Sequence, residues 1–182
     1  MPESSERLDR ITKVSRGIAT ACGLLFLLLP VFLAVISLGF PHFLLLQSAA
    51  RQFNLQVDDL SVLTKLAAYG AMMVQSLPML FALWVLRKLF QGYATGRVFT
   101  VEAAKRLKQA AFALLSMVVM TPVGGALFSL ALSIATPPGQ NKLVLGIGSP
   151  QVWIGLAGAM VLVTAWIMGE AAALAEENKS FV

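Results

Sequence analysis

Four stretches contain no Asp, Glu, Lys or Arg: residues 17–50, 66–86, 109–141 and 143–169. They limit what this chain can fold into. Each is as long as the roughly 20 apolar residues an α-helix needs to cross the hydrocarbon of a bilayer. In lipid the backbone must satisfy its own hydrogen bonds, so such runs cross as helices. A soluble fold would have to bury four helices that are apolar on every face, and a chain of 182 residues lacks the interior for that. Charged residues make up 13% of the sequence, against about 25% in soluble domains. The sequence therefore predicts an all-α membrane protein: one domain, a bundle of four transmembrane helices with spans near 17–40, 63–87, 107–135 and 151–174.

Local signals refine that outline. Arg7, Arg10, Lys13 and Arg16 precede an apolar run too long for a signal-peptide core, which reads as a retained anchor. Leu8, Ile11 and Val14 recur every three residues, which fits either a short amphipathic helix in the interface or a frayed tail. Pro30, Pro78 and Pro122 fall inside spans and predict kinks, the last strengthened by Gly124 and Gly125. Asp58 or Asp59 is the expected N-cap of the second helix. Gly92 and Gly96 are expected to end it, and Thr100 to cap the third, with Glu102 in its first turn. Met72, Met73 and Met79 read as adaptable packing residues, Cys22 as a small buried one and Trp84 as an interfacial ring. In the fourth span, Gly155 and Ala159, and Ala165, Gly169 and Ala173, recur at intervals of four, a face that admits close helix approach.

The one long polar island, residues 87–108, holds six of the fourteen Lys and Arg: Arg87, Lys88, Arg97, Lys105, Arg106 and Lys108. With four cations before residue 17 and one in the C-terminal tail, eleven lie on one side and three (Arg51, Lys65, Lys142) on the other. Cytoplasmic loops carry the excess of Lys and Arg, so both termini and the 88–106 connection are expected in the cytoplasm.

Chemistry is harder to find. A single cysteine and a single histidine exclude an internal disulfide and the common multi-thiolate or paired-histidine metal sites. Motifs for nucleophilic catalysis and nucleotide phosphates are missing, so neither an enzyme nor a cofactor is expected. His42 is placed at the outer interface, where it stays wet or senses pH. Glu170 sits at the edge of the fourth span, as a snorkelling interface residue or an intramembrane functional acid. The net charge of +5 clusters at the ends of apolar runs and not on a soluble basic domain, so no direct nucleic-acid contact is expected. The island then reads as a topology determinant contacting anionic lipids, or as a docking surface for a cytosolic protein in which Tyr93 and Phe99 stand exposed among the charges.

The island pattern Leu89-Phe90-x-x-Tyr93-x-x-Gly96-x-Val98-Phe99-Thr100-x-Glu102-Ala103-x-x-Arg106-Leu107 resembles the core motif of the bacterial membrane proteins grouped as the DUF2975 family. The tail Leu174-Ala-Glu176-Glu177-Asn178-x-x-x-Val182 resembles that family's acidic C-terminal signature, with Lys179-Ser180-Phe181 departing from it. The resemblance implies a bacterial cytoplasmic-membrane protein of four helices. Through the helix-turn-helix regulators often encoded beside family members, it also implies a membrane partner for a cytosolic repressor. It carries no catalytic residues across.

The leading expectation is a non-enzymatic membrane protein that regulates or holds a cytosolic partner. The alternative is a homo-oligomeric small channel, exporter or lipid-handling subunit, for which prolines and glycines in the spans would shape a path. The charge asymmetry makes a direct prediction. A reporter that is active only outside the cytoplasm should stay silent when fused at Gly96 and become active when fused within residues 43–57.

Overall fold

The structure, a computed structural model, describes residues 2–40, 42, 60–98, 100–135, 143, 146 and 148–180, with the side chains of 2–11 and 178–180 outside the description. Four long helices are present: α1 (Pro2–Ala34), α2 (Val62–Ala94), α3 (Val101–Ser133) and α4 (Ser149–Ser180). All four are long and apolar enough to cross a membrane. No strand occurs among the described residues. Packing follows chain order, with α1 on α2, α2 on α3 and α3 on α4. Consecutive helices are antiparallel, since Gly23 of α1 meets Arg87 near the end of α2, and Gly155 and Gly169 of α4 meet Val118 and Ala104 of α3.

The packing seams are built from small side chains at alternating intervals of three and four. On α2 they are Thr64, Ala68, Ala71, Gln75, Pro78, Ala82, Val85 and Leu89, all buried except the half-buried Gln75. This is the 3.5-residue repeat of left-handed helix pairs. Against it α3 sets Ala103, Ala110, Gly124, Phe128, Ala131 and Leu132. At one end of the pair, Leu60, Ala68, Ala71, Met72, Phe128, Ala131 and Leu132 form a buried cluster that Leu33 of α1 packs against. The closest approach is at Gly124, where an added Cβ would lie 2.4 Å from the Gln75 Cβ. Gly124 thus serves contact between helices, and α3 continues unbroken through Pro122.

Several expectations are corrected. Residues 2–16 are neither a separate interfacial helix nor a frayed tail but the first turns of α1. That helix runs through Pro30 and passes into a π-helical segment, Val35–Gly39, in which the buried Ser37 hydroxyl donates back to the Leu33 carbonyl. The cap of α2 is Ser61, whose Oγ accepts from the Thr64 amide at 3.2 Å; Asp58 and Asp59 lie outside the described residues. On α4 the face turned inward is Gly155, Gly158, Ala165, Gly169 and Ala172, while Ala159 and Ala173 are exposed. The fully buried members, Gly158, Ala165 and Ala172, recur at intervals of seven, the heptad spacing of packed helix pairs. Cys22 and Met72 are buried as expected, but Met79 is 43% exposed. The first connection's Arg51, the 136–141 turn and Lys142 lie outside the described residues.

Large apolar side chains stand on the outward faces of the helices. Leu24, Leu27 and Phe32 of α1 and Trp153, Met160 and Ile167 of α4 are all more than half exposed, Trp153 at 69%. Exposed apolar area on this scale marks contact with lipid or another apolar surface. Replacing Gly124 by Leu is expected to cost about 1–3 kcal/mol through overpacking against Gln75. Gly70→Leu, at a site with open space around it, should cost far less. Thermal melting of the two variants in one detergent compares them directly.

Candidate functional site

The α2–α3 turn is defined first by backbone chemistry. Of the two glycines expected to end α2, Gly92 lies inside the helix, which runs to Ala94 with Thr95 as its C-cap, and Gly96 makes the closing turn. Gly96, at φ 79°, donates from its amide to the Tyr93 carbonyl at 3.0 Å, and the Arg97 amide donates to the Gly92 carbonyl at 3.1 Å. These paired bonds are the Schellman closure, which requires a left-handed residue that glycine supplies without strain. The Thr95 hydroxyl adds a 2.8 Å bond to the same Gly92 carbonyl. Four residues on from Gly96, Thr100 caps α3 as expected, its Oγ1 accepting from the Ala103 amide at 3.1 Å, with Glu102 in the first turn.

A side chain then ties the two helices together. Arg106 of α3 donates from Nε to Glu102 Oε1 at 2.9 Å and from Nη1 to the Lys88 carbonyl of α2 at 2.7 Å. One guanidinium fork thereby spans a helical i, i+4 pair and the neighbouring backbone, a reach lysine's single ammonium cannot reproduce. Lys88 extends away from that carbonyl, its Nζ 3.6 Å from the centre of the Trp84 ring, which also stacks on Phe81.

Around this frame is an open cavity of about 440 Å³ lined by Lys88, Gln91, Thr95, Arg97, Thr100 and Arg106 among others. A smaller one, of about 200 Å³, lies beside it among Trp84, Lys88, Glu102, Lys105, Arg106 and Gln109. Three cations against the one carboxylate of Glu102 give the larger cavity a positive balance.

The sequence-predicted residues separate into distinct positions. Arg97, Lys105 and Lys108 are exposed. Arg106 is the brace just described and is only 29% exposed at its side chain. Arg87 points away from the turn and lies against Gly23 of α1. Tyr93, expected on the surface, is half-buried and meets Phe90 edge-on with ring centres 5.6 Å apart. Leu107 is half-buried, and Phe99 lies outside the described residues.

Glu170 is exposed and follows Gly169, which packs at the level of Ala104 in the first turn of α3. That level is the turn end of the molecule. Glu176 and Glu177 are exposed on α4, which stays helical to Ser180, past the expected end of the span at 174; the side chain of Asn178 lies outside the described residues. His42, too, is exposed. Among the described residues no three His, Cys, Asp or Glu converge as a metal site.

Sequence reasoning missed Gln91 and Thr95. Their four-residue spacing from Arg87 puts all three on one helical face, which was the available signal.

Gly96→Ala is expected to destabilise the turn by about 1 kcal/mol, the cost of a left-handed conformation for a residue with a Cβ. Gly92→Ala, where the nearest foreign atom to an added Cβ is 4.0 Å away, should be close to neutral. Limited proteolysis across residues 95–100 distinguishes the two; equal cleavage would refute the assignment of Gly96 as the closing residue.

The sequence model of a family described as a protein of unknown function (DUF2975) matches residues 44–182, which takes in α2, α3 and α4. No curated protein and no solved structure matches the chain.

Proposed function

The chain belongs to the DUF2975 family of proteins of unknown function, and on that premise we propose that it is a non-enzymatic, multi-pass protein of a bacterial cytoplasmic membrane. Both termini and the α2–α3 turn face the cytoplasm, where the turn docks a cytosolic protein. The observation that carries this reading is the division of labour among the island's cations. Arg106 is spent on bracing the turn, through Glu102 and the Lys88 carbonyl. Arg97, Lys105 and Lys108 are left exposed on that braced frame. A braced turn with unspent positive charge suits an acidic patch on a partner, because the backbone that carries those cations is already held when the partner arrives. The partner class implied by the family resemblance is a helix-turn-helix repressor, held at the membrane or released from it.

Reversing charge at Arg97, Lys105 and Lys108 to Glu, with Arg106 left intact, tests the reading. Cross-linking in native membranes should recover a cytosolic regulator with the unaltered chain and at least about tenfold less with the variant, as rim charges control encounter. Transcription of that regulator's targets should change in parallel. Equal recovery from both forms, or no cytosolic protein from either, would rule the docking surface out.

A further inference from the structure

A third cavity, of about 340 Å³, lies between α1 and α2 and is lined by Arg16, Thr20, Arg87, Gln91 and Thr95 among others. It is as large as a small-ligand pocket, typically about 300–1,000 Å³. Arg87 reaches it across Gly23, where an added Cβ would lie 3.1 Å from the guanidinium carbon. The missing side chain of Gly23 is what gives the guanidinium room against α1. Neither Arg16 nor Arg87 has a carboxylate partner among the described residues.

The remaining polar groups narrow the ligand. The Thr20 hydroxyl is engaged with the Gly17 carbonyl at 2.8 Å and the Arg16 carbonyl at 3.1 Å, and the Thr95 hydroxyl with the Gly92 carbonyl at 2.8 Å. The donors left for a guest are two guanidinium forks and the Gln91 amide. Two forks without an acid between them suit an anion with several acceptor oxygens, and phosphate meets that description through paired hydrogen bonds.

Position along the helices then says what carries the phosphate. Arg16 directly precedes the first charge-free stretch and Arg87 directly follows the second, so the pair stands at the polar–apolar boundary. Arg16, Thr20, Leu24, Leu27 and Val31 follow at helical spacing and share one face of α1. On it Leu24, Leu27 and Val31 are 60%, 64% and 59% exposed. A polar head site thus continues into an uncovered apolar stripe.

We propose that this cleft binds an anionic phospholipid, with Arg16 and Arg87 clamping its phosphate and an acyl chain lying along Leu24, Leu27 and Val31. The proposal rests on the membrane reading above but needs no protein partner. It engages α1, which precedes the family-matched residues.

The test uses the full chain purified in detergent, supplied with phosphatidylglycerol or phosphatidylcholine and read by native mass spectrometry. One phosphatidylglycerol should be retained per chain in preference to phosphatidylcholine. Retention should fall about tenfold in Arg16→Gln/Arg87→Gln, the loss of two charge-assisted contacts. Arg97→Gln/Lys108→Gln removes the same charge outside the cleft and should retain lipid normally. Arg16→Lys/Arg87→Lys keeps the charge without the forks and should fall between, which preserves the comparison if the double Gln variant does not fold. Equal loss in the Arg97/Lys108 variant would overturn the site. So would stabilisation of the lipid-free protein by inorganic phosphate with no phospholipid retained, which would assign the clamp to the free ion. Both readouts are of purified protein, so they stand or fall separately from docking at the α2–α3 turn.

Discussion

Gln75 against Gly124 is the tightest contact any glycine makes between α2 and α3. Two apolar helices surrounded by apolar material gain nothing from burial as such, and association falls to van der Waals contact and hydrogen bonds. Contact of that kind needs backbones close together. Alanines along the α2–α3 seam bring them near, and at Gly124 the absence of a Cβ lets Gln75 fill the space a side chain would occupy. Nearer the turn, Arg106 of α3 reaches the Lys88 carbonyl of α2. A wider spacing would leave the guanidinium with only its own helix to bind.

The turn itself is held by redundant devices of different range. The Schellman closure at Gly96 and the Thr100 cap act within six residues, whereas the Arg106 brace acts across eighteen. Local devices determine where α2 ends and α3 begins. The brace determines how the two ends sit relative to each other. Together they give the polar connection defined ends, between and beside which Arg97, Lys105 and Lys108 stand exposed.

The six cations of the island, alike in composition, do different things in the fold. Arg106 is structural, Lys88 is spent on Trp84, Arg87 belongs with Arg16 of another helix, and Arg97, Lys105 and Lys108 remain on the surface. The turn and the α1–α2 cleft are therefore neighbouring but chemically separate. One offers charge on a frame, the other two guanidinium groups over an apolar stripe.

The sequence by itself determined the number of helices and where their apolar stretches lie, because in lipid charge-free runs of this length have no other way to satisfy their backbone. It did not determine all of their ends, since α1 begins at Pro2 and α4 continues to Ser180. It also determined the Thr100 cap and the need for glycine at 96, since both depend on hydrogen bonds spanning only a few residues. It misplaced the cap of α2, where Ser61 competes with two nearby aspartates of equal propensity. Which face each helix turns inward was decided by tertiary structure alone. Helices apolar all round have no polar side to orient them. Their rotation is set by whichever small residues allow the nearest approach, as Gly158, Ala165 and Ala172 do on α4. The destinations of Arg87, Arg106 and Tyr93 follow from those rotations, so no reading of their own neighbours along the chain could have supplied them.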